Sequence, residues 1–71
     1  MAVNVVAHVT GTVFKIEKKI GEAVASGEVL LVLESMKMEM PLESPAAGKV
    51  KELRCAEGQS VGEGDVLLVL E

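Results

Sequence analysis

The chain has 71 residues, 49% of them hydrophobic, with one aromatic residue, Phe14, and one cysteine, Cys55. It can hold one small domain, which buries roughly 60% of its unfolded surface and has no disulfide to staple it, so stability must come from regular aliphatic packing. A net charge of −4 and the lack of aromatic stacking platforms argue against nucleic-acid binding, and no apolar run approaches the roughly 20 residues of a membrane-spanning helix.

From the N-terminus onward, short runs rich in Val and Leu are broken by glycine at close intervals, which is the pattern of strands and turns. Eight strands are expected: Val3 to Ala7, Thr12 to Glu17, Ala23 to Ala25, Val29 to Leu33, Met38 to Glu43, Lys49 to Arg54, Ser60 to Val61 and Val66 to Leu70. A helix over Ile16 to Leu33 would hold Gly21 and Gly27 in its interior at about 1 kcal/mol each, besides β-branched Val24 and Val29. Along the fifth strand Met36, Met38, Met40 and Leu42 alternate with Lys37, Glu39, Pro41 and Glu43, and Met40 and Leu42 are read as its inward face. The basic cluster Lys15, Lys18 and Lys19 reads as a solvated face. His8 has no neighbouring cysteine for a zinc set and reads as structural or solvated. The glycine-rich Gly58 to Gly64 lacks the spacing of a phosphate loop. The N-terminus lacks the basic, apolar and cleavage regions of a signal peptide, so a cytoplasmic location is expected.

The chain contains an internal repeat. Gly11 to Glu34 aligns without gaps to Gly48 to Glu71, an offset of 37, and eleven of the 24 positions are identical, including the whole VLLVLE block. Two copies of one unit, each too small to bury its apolar face alone, are expected to close one core about a pseudo-twofold axis. The fold expected is therefore all-β: a flattened sandwich or barrel of two four-stranded antiparallel sheets. Residues 1–71 form a single domain, with halves 1–34 and 38–71 joined by a hairpin at 35–37, and the isolated domain is expected to be monomeric.

Ser35, Met36 and Lys37 thus join the end of one copy to the start of the next, at the pole opposite the chain ends. A tight hairpin normally carries Asn-Gly, Asp-Gly or Gly-X, which tolerate positive φ, whereas Met36 and Lys37 would adopt such conformations at a cost. Something other than folding selected them.

The run Glu34-Ser35-Met36-Lys37-Met38-Glu39-Met40 resembles the biotinylation motif of the biotin carboxyl carrier family, whose core is Met-Lys-Met after a small residue. The resemblance extends to the glycines of both halves and to Ser44-Pro45-Ala46-Ala47-Gly48. It implies the barrel-sandwich fold of biotinyl and lipoyl domains, with biotin held covalently through an amide on Lys37. It implies that Met36 and Met38 are read by a biotin protein ligase and that Glu34 and Ser35 form the shoulder of the hairpin. The partners implied are that ligase, a biotin carboxylase and a carboxyltransferase, between which the carrier shuttles a carboxyl group without being a catalyst itself. Ser35 stands where alanine is more usual, His8-Val9-Thr10-Gly11 lacks a proline before the glycine, and Lys15 to Val24 has no inserted thumb, so the chain is similar to the thumbless carriers and the free-standing attachment proteins.

A solvated lysine, with a pKa of ~10.4, is almost fully protonated at neutral pH. Attachment therefore needs a ligase that removes the proton, and the carrier's task is presentation of an exposed amine flanked by adaptable thioethers. The nearest rival is a lipoyl carrier, or a dually modified protein, on the same fold; lipoyl domains usually flank the lysine with an acidic and a small residue. A third reading is a methionine-rich interaction or metal-binding module, for which three thioethers without cysteine or histidine form a thin Cu(I) set.

Overall fold

A computed structural model describes residues 2–71; Met1, which the repeat aligns with Met38, lies outside the described residues. Eight strands follow in order: β1 (Val3–Val6), β2 (Gly11–Ile16), β3 (Ala23–Val24), β4 (Val29–Ser35), β5 (Met38–Glu43), β6 (Gly48–Leu53), β7 (Ser60–Val61) and β8 (Val66–Leu70). Each expected strand is present: β5, β7 and β8 have the expected ends, and the others differ at their ends by one or two residues. They form two four-stranded sheets, β1-β8-β6-β3 and β5-β4-β2-β7, and all the pairings are antiparallel.

Adding 37 to each residue number turns β1, β2, β3 and β4 into β5, β6, β7 and β8, and it converts one sheet order into the other strand for strand. The sheets are not the two copies, however. Each sheet takes two strands from each copy, so the halves interlock. The buried aliphatic residues, among them Val13, Leu30, Leu31, Leu33, Leu67 and Leu68, form one core cluster between the sheets. Simple alternation would bury every second residue of a strand, yet Leu30 and Leu31 are both buried. A register shift between Val29 and Leu31 accounts for this, since a bulge breaks the alternation and bends the strand around the core.

The ends of the chain meet in one sheet: Val3 pairs with Leu70, and Glu71 exchanges backbone hydrogen bonds with Lys49. Val24 pairs with Gly48 beside them, and β4 begins five residues later. From Val29 to Ser35 the strand advances roughly 20 Å. The molecule measures 33 × 17 × 17 Å, so that run exceeds either short dimension and carries the β4–β5 hairpin towards the end away from the chain ends.

Gly11 is fixed by close approach of neighbouring backbone. A Cβ there would lie 2.4 Å from the Glu34 carbonyl oxygen, and one at Gly48, its repeat partner, 2.8 Å from that of Glu71. The turns before β3, β4, β7 and β8 are capped alike. Glu22 accepts from the Lys19 N–H and Glu28 from the Ala25 N–H, while Gln59 accepts from the Ala56 N–H and Asp65 from the Gly62 N–H.

In the basic cluster Lys15 and Lys19 are exposed, as expected of a solvated face, and Lys18 departs from it. The Lys18 side chain is only 12% exposed; its ammonium donates to Glu28 and lies 3.5 Å from Glu22. The hydrogen bond to Glu28 raises the pKa of Lys18 and lowers that of Glu28, which the Ala25 N–H lowers further. The Lys19 N–H is the main cause of the lowering at Glu22.

Two predictions test this arrangement. Gly11→Ala forces the β2–β4 contact apart and should cost about 1–3 kcal/mol, read as a fall in the thermal midpoint. Gly62→Ala should leave the midpoint near parental, because its Cβ meets Asp65 at an ordinary 3.6 Å. For the Lys18 cluster, lowered carboxylate pKa values mean that the stabilisation is present at neutral pH and is lost as pH falls through the folded-state values. The gap in thermal midpoint between the parent and Lys18→Met should therefore close as pH falls below the ordinary glutamate value of about 4.3. A gap that stays constant as pH falls below that value contradicts the assignment.

Candidate functional site

The site is built from the tip of the β4–β5 ladder. Six residue pairs run from Val29↔Glu43 to Ser35↔Met38, leaving Met36 and Lys37 as the only two residues of the turn. Both have positive φ, 53° at Met36 and 64° at Lys37, and they are the only non-glycine residues of the described chain that do. This is the sign pattern of a type I′ turn, whose twist matches that of the strands it joins. The strain expected of the connector is present at both residues, each at a cost of order 1–3 kcal/mol.

The turn turns its side chains outward. Met36 is 91% exposed and Met38 63%, so neither belongs to an inward strand face; Met40 and Leu42 are half-buried, and Leu42 packs against the core, as expected of them. Lys37 is exposed, and among the described residues no carboxylate forms an ion pair with its ammonium. Glu34 is exposed and Ser35 half-buried at the shoulder. Glu34 pairs with Thr12 on one side and with Glu39 on the other, which sets two like charges opposite each other just below the turn.

The structure thus brings Glu34, Ser35, Met36, Lys37 and Met38 together on one protrusion. Sequence reasoning missed Gly11 as a part of that shoulder. Its missing side chain lets β2 lie against the Glu34 carbonyl and within 3.2 Å of the Ser35 Cβ; the pairing of Gly11 with Gly48 in the repeat was the available signal. His8 is exposed, far in sequence from the turn. Cys55 is half-buried against the core, and burial pushes its thiol pKa up, which leaves it a poor nucleophile.

The family described as biotin-requiring enzyme matches residues 1–70. The chain belongs to that family. Among relatives, the biotin carboxyl carrier protein of acetyl-CoA carboxylase of Solanum lycopersicum is 45% identical over 56 residues, 79% of this chain and 80% of that protein. The α subunit of mitochondrial methylcrotonoyl-CoA carboxylase of Rattus norvegicus is 38% identical over 53 residues, 75% of this chain. This chain spans only 7% of the length of that subunit. A solved single-chain, multi-domain long-chain acyl-CoA carboxylase superposes with a TM-score of 0.90 at 37% identity, covering 96% of this chain and 7% of the other. Within the biotin-requiring family, the same unit therefore occurs both as most of a small carrier and as a small part of a large enzyme.

The strain at the turn can be measured directly. Replacing Met36-Lys37 by Asn-Gly should raise stability by about 1–2 kcal/mol, because those residues accept left-handed backbone with little penalty. In a domain of this size that is a rise of several degrees in the thermal midpoint. An unchanged or lowered midpoint contradicts a strained turn.

Proposed function

We propose that this domain is a biotin carboxyl carrier: Lys37 takes biotin in amide linkage from a biotin protein ligase and moves it between a biotin carboxylase and a carboxyltransferase. The observation that carries the reading is the left-handed turn at Met36 and Lys37, where folding alone favours Asn-Gly and where the chain instead presents an exposed primary amine between two exposed thioethers. The relatives support it, since those matched are a carboxyl carrier protein and carboxylases.

The residues divide the work in a simple way. Lys37 supplies the amine, and no ion pair among the described residues ties it down, which leaves it free to enter another protein's active site. No side-chain hydrogen bond links its ammonium to a carboxylate among the described residues, so removal of its proton falls to the ligase. Met36 and Met38 offer apolar, polarizable surface that adapts to the ligase. Glu34 and Ser35, locked in the β2–β4–β5 ladder, hold the turn at a fixed angle. Bound biotin supplies a ureido nitrogen that accepts and releases a carboxyl group. The domain itself acts as a tether that keeps that group at high local concentration.

Co-expression with a biotin protein ligase and excess biotin should add one biotinyl group, and peptide mapping should place it on Lys37. Lys37→Arg keeps the positive charge but has no competent primary amine; it should abolish labelling while shifting stability by no more than about 0.5 kcal/mol. Biotin on Lys49 or Lys51 would overturn the reading. A lipoyl group on Lys37 in protein from its natural host, without biotin, would favour the lipoyl carrier instead.

A further inference from the structure

The two copies of the repeat differ at one place in a way that exposes a site. With the offset of 37, Lys18 answers to Cys55, Glu22 to Gln59 and Glu28 to Asp65. In the first copy the Lys18 side chain lies along the domain, nearly covered, with its ammonium held by Glu28 and Glu22. Each glutamate uses one oxygen to cap a turn and the other for the lysine.

The second copy keeps the caps and lacks the lysine. Gln59 accepts from the Ala56 N–H at 3.0 Å and Asp65 Oδ2 from the Gly62 N–H at 2.8 Å, but Cys55 is too short to reach either. An open groove of about 360 Å³ lies there, lined by Arg54, Gln59, Val61, Asp65, Val66 and Leu67. Its walls include the counterparts of both groups that hold Lys18. The Arg54 guanidinium at the rim is drawn to Glu52, 3.3 Å away. Asp65 Oδ1 is left without an ion pair among the described residues.

We infer that this groove is a docking site for a lysine side chain of a partner protein, bound as Lys18 is bound in the first copy. The alkyl stem would lie on the aliphatic side chains of Val61, Val66 and Leu67, and the ammonium would reach Asp65 Oδ1 and the backbone around the capped turn. The net charge of −4 favours a basic partner at long range. A single half-solvated ion pair gives a weak, rapidly reversible contact, which suits a carrier that must leave each site it visits. The inference concerns a face separate from the hairpin and stands whether or not Lys37 carries biotin.

The test is a titration of the isotopically labelled domain with Nα-acetyl-lysine amide, followed by amide chemical shifts, with Nα-acetyl-glutamine amide as the uncharged comparison. Shifts at Asp65, Val66 and Leu67 should saturate with the lysine compound only. Asp65→Asn keeps an oxygen for the Gly62 N–H and should weaken binding about threefold, the effect of losing one half-solvated ion pair. Cys55→Lys should fill the groove from within, abolish binding and raise the thermal midpoint, and the rise should vanish when Asp65→Asn is added. Equal shifts with both compounds, undiminished binding to Asp65→Asn, or a Cys55→Lys midpoint that ignores Asp65 would each overturn the inference.

Discussion

Two consecutive side-chain-bearing residues in left-handed backbone are unfavourable unless the structure around them leaves no alternative. Here the constraint comes from the β4–β5 ladder, whose five pairs from Leu31↔Leu42 to Ser35↔Met38 run without a break to the tip. Leu31 and Leu33 of that ladder are fully buried, and each buried leucine contributes about 1.5–3 kcal/mol. The strain at Met36 and Lys37 is of the same order per residue. A few core residues on adjoining strands therefore suffice to hold the tip in a conformation that its own sequence resists, and the resulting lysine is exposed without being loosely held.

The interlocked repeat makes this economical in a chain of 71 residues. Because each sheet takes two strands from each copy, neither half has a finished sheet of its own, and the aliphatic cluster is shared. The pseudo-twofold that exchanges the sheets also relates the hairpin to the chain ends. One position became a closed turn for presentation, and its equivalent became the place where the polypeptide enters and leaves. The same relation lets the Lys18 site and the Cys55 groove be compared on one backbone, so that a difference of side chains can be read as a difference of occupancy.

Much of this was legible in the sequence. The gapless alignment of Gly11–Glu34 with Gly48–Glu71 carried the symmetry, the strand count and the special position of Met36 and Lys37. Which copy pairs with which strand was not legible, because identical VLLVLE blocks cannot say whether β8 lies beside strands of its own copy or the other; that is decided by core closure. The double burial of Leu30 and Leu31 escaped strict alternation because a bulge lies between Val29 and Leu31. Lys18 was misread because a lysine among lysines resembles a solvated face; its partners Glu22 and Glu28 sit in separate turns that only the fold brings together. The groove lined by Arg54, Gln59 and Asp65 lies where the second copy has no counterpart of the Lys18 side chain, which no motif announces.

The central claim is that the turn is strained in conformation yet rigid in presentation. Amide relaxation and coupling measurements on the unmodified domain test both parts at Met36 and Lys37. A rigid, strained turn gives backbone order parameters close to those of β4 and β5, about 0.85, together with short intraresidue HN–Hα distances diagnostic of positive φ. Order parameters below about 0.6, or couplings that report negative φ at either residue, would contradict it.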